Sequence, residues 1–146
     1  MYKKLLLIVN PVAGTMKAKN ALFTITNIFC KADYLVTTLI TKHRGHACDI
    51  AKNHAHEYDL VVCCGGDGTL NEVISGVLSS GKKTPIGYIP SGSTNDFAST
   101  MGLVSNHSKA AEMIVEGKPY DIDIGLFGNT YFSYIASFGA FTAASY

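Results

Sequence analysis

The stretch VVCCGGDGTLNEVISGVL, residues 61 to 78, joins an apolar run to a helical pattern through a glycine-rich loop. The apolar run is typical of a buried strand that stops at Gly65, and a helical pattern of apolar residues begins at Thr69. Glycines at such a junction permit positive φ angles and a close approach of the backbone to a ligand. The amides of a helix's first turn lack partners within the helix and favour an anion. We therefore interpret the junction as a phosphate-binding loop.

Two side chains in this loop bear on its chemistry. Thr69 can cap the helix and also donate its hydroxyl to the bound anion. Asp67 would repel a phosphate, so we expect Mg²⁺ or ordered water between the two. The alternative interpretation is a plain tight turn in which Asp67 caps the helix.

The rest of the chain alternates in the same way between apolar runs and helical patterns. This alternation predicts an α/β fold: an open, mostly parallel sheet with helices on both faces. The predicted strands are residues 4–9, 34–41, 59–64 and 85–90. The predicted helices are 17–30, 45–56, 69–78, one that starts near Asp96, and 107–117 with Gly117 as its C-cap.

Parallel strands connected by right-handed crossovers have their carboxyl ends at one edge of the sheet, where open α/β sheets bind ligands. The residues expected at that edge are Asn10, Thr41, Gly65 and Ser91. Two further loops of small polar residues start there, NPVAGTMK at 10–17 and PSGSTNDFA at 90–98. Three such loops at one edge favour a binding site over three unrelated turns.

The pattern changes at Tyr120 to short strands without helices. We therefore predict a nucleotide-binding α/β domain at residues 1–119 and strands that lead into a second, β-rich domain at 120–146. Gly128-Asn129 is a predicted hairpin turn, and Asp121 and Asp123 share one face of a strand. No charged residue follows Asp123, so we expect the chain to be the front part of a longer protein.

Composition excludes several classes of function. Hydrophobic residues make up 47% and charged residues 16% of the 146, which argues against disorder. The net charge of +1, with one arginine and no basic tract, gives no field for nucleic acid. Adjacent Cys63 and Cys64 point to opposite faces of a strand, so they suit neither a disulfide nor a shared metal. The apolar run near the amino terminus is too short for a signal peptide, and no stretch is long enough to span a bilayer.

Two common nucleotide motifs are absent. No glycine precedes Lys-Ser or Lys-Thr in the frame of a P-loop. The dinucleotide fingerprint begins at Gly66 and Gly68, but its third glycine would fall on Asn71, so the match fails.

The set NPVAG, GGDGTLNEV and PSGSTNDFA, in this order and spacing, resembles the catalytic domain of the diacylglycerol kinase and sphingosine kinase family. It is most similar to the soluble bacterial diacylglycerol kinase-like lipid kinases, over essentially the whole chain. The GGDGT core is shared with NAD kinases and phosphofructokinases, which implies their type of amino-terminal fold. Asn71-Glu72 and the stretch from Ser91 to Asp96 favour the lipid branch.

The resemblance implies an ATP site between this domain and a carboxyl-terminal β-sandwich domain. The residues carried over as nucleotide-binding are Asn10, Pro11, Val12, Ala13, Gly14, Thr41, Gly65, Gly66, Asp67, Gly68, Thr69, Leu70, Asn71, Glu72 and Thr94. Those carried over as organising Mg²⁺ and its waters are Asp67, Asp96 and Asp123. The implied reaction transfers the γ-phosphoryl group of ATP to a lipid hydroxyl, with diacylglycerol as the expected acceptor.

The family's catalytic base is a carboxylate of the second domain, downstream of residue 146. The chain is therefore expected to bind nucleotide but to be inactive alone. The resemblance further implies a cytoplasmic protein that meets its lipid peripherally at a membrane surface, without nucleic acid, and leaves a homodimer of the full-length protein open. The rival hypotheses are an NAD kinase-like enzyme and a regulatory module that binds a nucleotide without turning it over.

Overall fold

The structure, a computed structural model, describes residues 2–12, 17–91, 106–117, 120–127, 130–133 and 140–145. The strands are β1 (Lys3–Val9), β2 (Tyr34–Ile40), β3 (Leu60–Gly65), β4 (Ile86–Pro90), β5 (Tyr120–Phe127), β6 (Thr130–Ser133) and β7 (Ala140–Ser145). The helices are α1 (Lys17–Lys31), α2 (His46–His54), α3 (Asp67–Ser79) and α4 (His107–Glu116), with a short 3-10 helix at Ala55–Glu57.

The strands form one sheet in the order β2-β1-β3-β4-β7-β5-β6. Strands β1 to β4 run parallel to one another, as expected where helices connect successive strands. The predicted α/β class with a mostly parallel sheet is therefore confirmed.

The core has two layers, one on each face of the sheet. On one face, Leu6 and Ile8 of β1 pack with α2 and α3. On the other, Leu5 and Leu7 pack with α1 and α4. Each of these leucine or isoleucine side chains contributes about 1.5–3 kcal/mol by leaving water. Because both faces are covered, the central strands are apolar throughout rather than alternating.

Cys63 and Cys64 illustrate this arrangement in β3. The first packs with α2 and α3, and the second lies in the opposite layer. All four cysteines are free thiols, and Cys63 and Cys64 lie on opposite faces of the strand as predicted.

Several predicted boundaries need correction. Helix α3 begins at Asp67, two residues before the predicted start at Thr69. The segment predicted as one helix over 45–56 is an α-helix that ends at His54, followed by the 3-10 turn. The helix predicted from Asp96 lies outside the described residues.

Helix α4 has a cap at each end. The Asn106 side chain accepts a hydrogen bond from the Lys109 amide at 3.0 Å, which satisfies a first-turn donor. Gly117 is the C-cap, as predicted, but its φ of −81° and ψ of 170° are extended rather than left-handed. The position favours glycine because there is no room for a side chain, not because of its backbone angles. A Cβ there would lie 2.9 Å from the Met113 carbonyl oxygen.

The strands after residue 119 continue the same sheet. β7 pairs antiparallel with β4 over two residue pairs, and β5 runs parallel to β7. β5 and β6 pair antiparallel with Phe127 opposite Thr130, while the predicted turn residues Gly128 and Asn129 lie outside the described residues. The division into domains at residues 1–119 and 120–146 stays a prediction.

Candidate functional site

The carboxyl ends of the four parallel strands lie side by side at one edge. Three backbone hydrogen bonds, each 2.9 Å long, connect them from strand to strand. The Thr41 amide donates to the Val9 carbonyl, the Asn10 amide to Cys64, and the Ser91 amide to Gly65. The structure therefore brings together the residues that the sequence placed at this edge, namely Thr41, Asn10, Gly65 and Ser91.

Helix α3 starts directly at this edge. Its N-cap is Gly66, in an extended conformation with φ −92° and ψ −173°, and no side chain caps the helix. The prediction that Thr69 caps α3 is therefore wrong, because the helix already begins at Asp67. The first-turn amides of a helix have no carbonyl partner within it, so this end of α3 suits an anion.

The glycines of this loop matter because they lack a side chain, not because they adopt positive φ angles. Among the described residues, the positive-φ glycines are Gly45 and Gly81, neither of which is in this loop. A Cβ on Gly65 would lie 2.8 Å from the Thr69 Cβ, so a side chain there would push α3 away from β3. A Cβ on Gly68 would meet nothing within 4 Å, so this glycine leaves open space beside the helix start.

A hydrogen bond joins the first strand loop to α3. The Asn10 side-chain amide donates to the Thr69 hydroxyl oxygen at 2.9 Å, and its Oδ1 accepts from the Val12 amide at 3.1 Å. Thr69 is buried, and its hydroxyl still has a proton to donate. The Asn10 side chain therefore orders the loop and orients Thr69, and both ends of its amide group already have a partner within the protein.

Asp67 is in contact with the core through Tyr88. The Tyr88 hydroxyl donates to Asp67 Oδ1 at 3.3 Å, and Tyr88 itself is 1% exposed in the middle of β4. Burial raises the pKa of Tyr88 well above its ordinary value, and the nearby Cys63 and Asp67 add to the rise. The phenol therefore keeps its proton and acts as the donor.

Ser91 directly follows the fourth parallel strand and lies beside Cys64. Burial raises the pKa of the Cys64 thiol to about 11, and the neighbouring Ser91 hydroxyl partly opposes that rise. Within the described ranges, Ser91 Oγ makes no hydrogen bond of acceptable geometry, although it is shielded from solvent. Ser91 contributes to the edge chiefly through its backbone amide.

The remaining predicted residues divide into three groups. Leu70 is buried in the core with α2, so its side chain has a packing role, while Asn71 and Glu72 are partly exposed on α3. Pro11 is partly exposed and Val12 is 81% exposed in the loop after β1. Those outside the described residues are Ala13, Gly14, Thr94 and Asp96.

Asp123 is not brought to this edge. β5 runs opposite to β4, and Asp123 lies opposite Ala144, three residues past the pairing of Phe141 with Ile86. Because Ile86 is the first residue of β4, the backbone of Asp123 lies toward the amino ends of the parallel strands. A joint metal role for Asp123 and Asp67 stays a prediction without support from the sheet register.

The described side chains fit Mg²⁺ as an ion carried by a nucleotide. Within these parts of the chain, no three histidine, cysteine, aspartate or glutamate side chains form a metal-binding group. Mg²⁺ commonly uses one or two carboxylates together with substrate phosphates and water. Asp67, the first residue of α3, has the right chemistry for that arrangement.

Two residues at the site were missed from the sequence. Tyr88 looked like one apolar residue of a buried strand, and nothing in the sequence pairs it with Asp67. His46 accepts the Lys42 amide at its Nδ1, 2.9 Å away, and its ring stacks on His43 with centroids 4.8 Å apart. These contacts order the loop that follows Thr41.

Comparison with known proteins gives one consistent result. Residues 4–127 match the family model for the diacylglycerol kinase catalytic domain. The chain is 37% identical over 146 residues to the diacylglycerol kinase of Bacillus subtilis (strain 168), covering 99% of this chain and 48% of the relative. It is 35% identical to that of Staphylococcus carnosus (strain TM300), covering 100% of this chain and 48% of the relative.

A solved structure agrees with this. The crystal structure of a diacylglycerol kinase from Bacillus anthracis str. Sterne superposes with a TM-score of 0.76 at 32% identity, over 90% of this chain and 46% of the other. The chain thus spans about half the length of the curated relatives that it matches. None of the helices in the described ranges is long and apolar enough to cross a bilayer.

Proposed function

Because the chain belongs to the diacylglycerol kinase catalytic domain family, we propose that it is the nucleotide-binding part of an ATP-dependent lipid kinase. In this proposal the γ-phosphoryl group of MgATP is transferred in line to a lipid hydroxyl, and diacylglycerol is the acceptor. Such a reaction depends on positioning and on neutralising the charge of the phosphates.

The junction of β3 and α3 carries the proposal. Gly65 lets the start of α3 lie against the strand end, and Gly68 keeps the space beside the helix open. Thr69 is oriented by Asn10 with a proton left to donate. Open space, first-turn amides and an oriented hydroxyl together suit the phosphates of a nucleotide.

Asp67 is the residue through which the loop would act on magnesium. The ion would arrive on the nucleotide phosphates, neutralise their charge and offset their repulsion by the Asp67 carboxylate. We propose that Asp96 takes part with Asp67. Asp123 is left out of this proposal because of its position in the sheet register.

Because the acceptor is a lipid, we propose that the protein associates peripherally with a membrane surface, on the cytoplasmic side where ATP is available. The chain corresponds to the amino-terminal half of relatives about twice its length. We propose that the catalytic base lies in the carboxyl-terminal half, so residues 1–146 bind nucleotide but do not transfer phosphoryl groups alone.

A chimera tests this function. Residues 1–146 would be joined to the portion of the Bacillus subtilis diacylglycerol kinase that they do not cover, and given Mg²⁺ and γ-labelled ATP. Diacylglycerol in mixed micelles and NAD would be offered as separate acceptors. We expect label in diacylglycerol for the chimera, and ATP binding without transfer for residues 1–146 alone.

The controls distinguish the alternatives. The Asp67→Ala chimera should bind lipid micelles as before but lose at least about 100-fold in transfer rate, since charge neutralisation supplies much of this catalysis. Label in NAD would support an NAD kinase-like enzyme. Nucleotide binding with no transfer to either acceptor would support the regulatory module, provided that the intact Bacillus subtilis enzyme is active beside it.

A further inference from the structure

The contact between Tyr88 and Asp67 joins the core of the protein to the loop at the sheet edge. Tyr88 lies opposite Cys63 in the β3–β4 pairing, and its ring is part of the layer that packs with α2 and α3. Its hydroxyl reaches Asp67 Oδ1 at 3.3 Å, across 21 residues of sequence. The contact is thus a product of the tertiary fold rather than of the loop itself.

The two partners differ in rigidity. A buried tyrosine has two side-chain torsions and close neighbours on all sides, so its hydroxyl has a defined position. Asp67 is the first residue of α3 and is only partly buried. A hydrogen bond from a rigid donor to one carboxylate oxygen restricts the rotation of the group, so the second oxygen also occupies a narrow range of positions.

The contact also affects charge at the helix start. The phenol hydroxyl donates to the carboxylate at 3.3 Å, which is long for an O–H···O bond, so the contact orients the carboxylate without binding it tightly. Oδ1 is held toward the sheet, on the side of Tyr88. A carboxylate held in this way opposes an incoming phosphate less than one turned toward the first-turn amides of α3.

From this geometry we propose that Tyr88 is a positioning residue, whose hydroxyl orients Asp67 for the magnesium ion that a bound nucleotide carries. The inference rests on the proposed nucleotide-binding function and goes beyond it by assigning a role to a core residue outside the three loops. A purely structural tyrosine would affect stability, or nucleotide affinity with and without magnesium alike. A positioning residue affects the part of the affinity that depends on magnesium.

A double-mutant cycle tests the assignment. ADP would be titrated by calorimetry into the 146-residue chain and into its Tyr88→Phe, Asp67→Asn and doubly substituted variants, in Mg²⁺ and in EDTA. Tyr88→Phe removes only the hydroxyl and retains the packed ring. Tyr58→Phe is the matched control, because Tyr58 packs against the same layer but precedes β3, at the opposite edge of the sheet.

We expect Tyr88→Phe to weaken ADP binding about five- to tenfold in Mg²⁺ and less than about twofold in EDTA, on the scale of one typical hydrogen bond. In the Asp67→Asn background the same substitution should have no further effect. Thermal unfolding of each variant checks that it is folded, and Asp67→Asn tests the contact from the exposed side if Tyr88→Phe is poorly folded.

Three results would overturn the assignment. Equal losses in Mg²⁺ and in EDTA would make Tyr88 structural, and an undiminished loss in the Asp67→Asn background would show that it acts without Asp67. A loss as large in Tyr58→Phe would point to the core in general. If the unsubstituted chain binds ADP in neither buffer, the proposed function itself fails and the inference fails with it.

Discussion

Burial controls the acid–base behaviour of the side chains beneath the site. Cys63 and Cys64 lie on opposite faces of β3, and burial raises the pKa of both thiols, that of Cys64 to about 11. Both thiols therefore stay protonated at neutral pH. Because only the thiolate form is a nucleophile, neither cysteine is expected to be reactive there. The thiols behave there as small apolar side chains.

The raised pKa values predict a loss of stability in alkali. In the unfolded chain a thiol deprotonates near its ordinary pKa of 9.0, whereas folded Cys64 keeps its proton to about pH 11. Between those values the unfolded state binds fewer protons, so the free energy of unfolding falls as pH rises. We expect Cys64 to account for a loss of about 2–3 kcal/mol between pH 8.5 and 11, measured by urea unfolding across that range.

Substitution of the thiols provides the control. Cys64→Ala should lower stability at pH 7 through lost packing and make the alkaline decline less steep, while the buried Cys63 still contributes to it. The exposed Cys30, as Cys30→Ala, should leave the decline unchanged. An equally steep decline in Cys64→Ala would assign the alkaline loss to other buried groups, such as Cys63 and Tyr88.

The Asn10 side chain makes hydrogen bonds within the protein that order the edge of the sheet. Its amide group spans the gap between the loop after β1 and the first turn of α3. Only the folded arrangement brings the two loops within reach, across 59 residues of sequence. The side chain therefore fixes the position of the Thr69 hydroxyl beside the loop that follows β1.

Helix α3 carries two glycines with different roles. Gly68, in the first turn, has open space where a Cβ would lie. Gly76, two turns later, lies where α3 crosses α2, and a Cβ there would overlap the Cys48 carbonyl oxygen and lie 2.6 Å from the Ala51 Cβ. The first glycine leaves open space beside the start of the helix, and the second allows the two helices to pack closely.

Alanine substitution at these two positions should have opposite effects. Gly68→Ala should leave the free energy of unfolding unchanged or raise it by up to about 1 kcal/mol, because alanine is the better helix former. It should weaken ATP binding about tenfold, because the methyl group enters the space beside the helix start. Gly76→Ala should lower the free energy of unfolding by about 1–3 kcal/mol through overpacking.

The two variants serve as controls for each other. Urea unfolding gives the stability change, and an ATP titration of the folded fraction gives the affinity. Gly76→Ala, while folded, should bind ATP like the unsubstituted chain. Normal ATP affinity in Gly68→Ala would mean that the phosphates do not approach this face of the helix.

At the scale of the whole molecule, the sheet has a well-connected part and a weakly connected part. β3 is paired on both sides along most of its length and is covered on both faces. β7 joins β4 through only two residue pairs, although β5 and β7 pair with each other over five. Few hydrogen bonds therefore tie the strands after residue 119 to the parallel sheet.

This difference predicts two levels of protection in native-state hydrogen exchange. The amides of β1, β3 and β4 should exchange slowest, near the global free energy of unfolding. Those of β5, β6 and β7 should exchange together through a separate opening of lower free energy. Peptide-level mass spectrometry at pH 7 would resolve the two groups of strands.

The measurement also tests the domain boundary that the sequence placed at residue 120. One common exchange rate for all the central strands would contradict the boundary and make residues 1–146 a single cooperative unit. Addition of MgATP should slow exchange at the start of α3 without changing β5 to β7, if the nucleotide binds at the edge described.

Local patterns were enough to predict the parallel sheet and the residues that lie at the carboxyl ends of its strands. The continuously apolar runs at β1, β3 and β4 can only be buried on both faces, and the helical patterns between them require crossovers. These two patterns predict from the sequence alone that Asn10, Thr41, Gly65 and Ser91 lie together. The strand ends are correct to within one residue because glycine and proline mark them so clearly.

Contacts between distant residues were decided only by the tertiary structure. Helix α3 begins at Asp67 rather than at the predicted Thr69, and its first turn packs against Gly65. The Thr69 hydroxyl, predicted to cap the helix, instead accepts a hydrogen bond from Asn10. The donor for Asp67 came from Tyr88, whose position in an apolar strand carried no polar signal. Periodicity reports which face of an element is buried, whereas the partner across that face depends on how the elements pack.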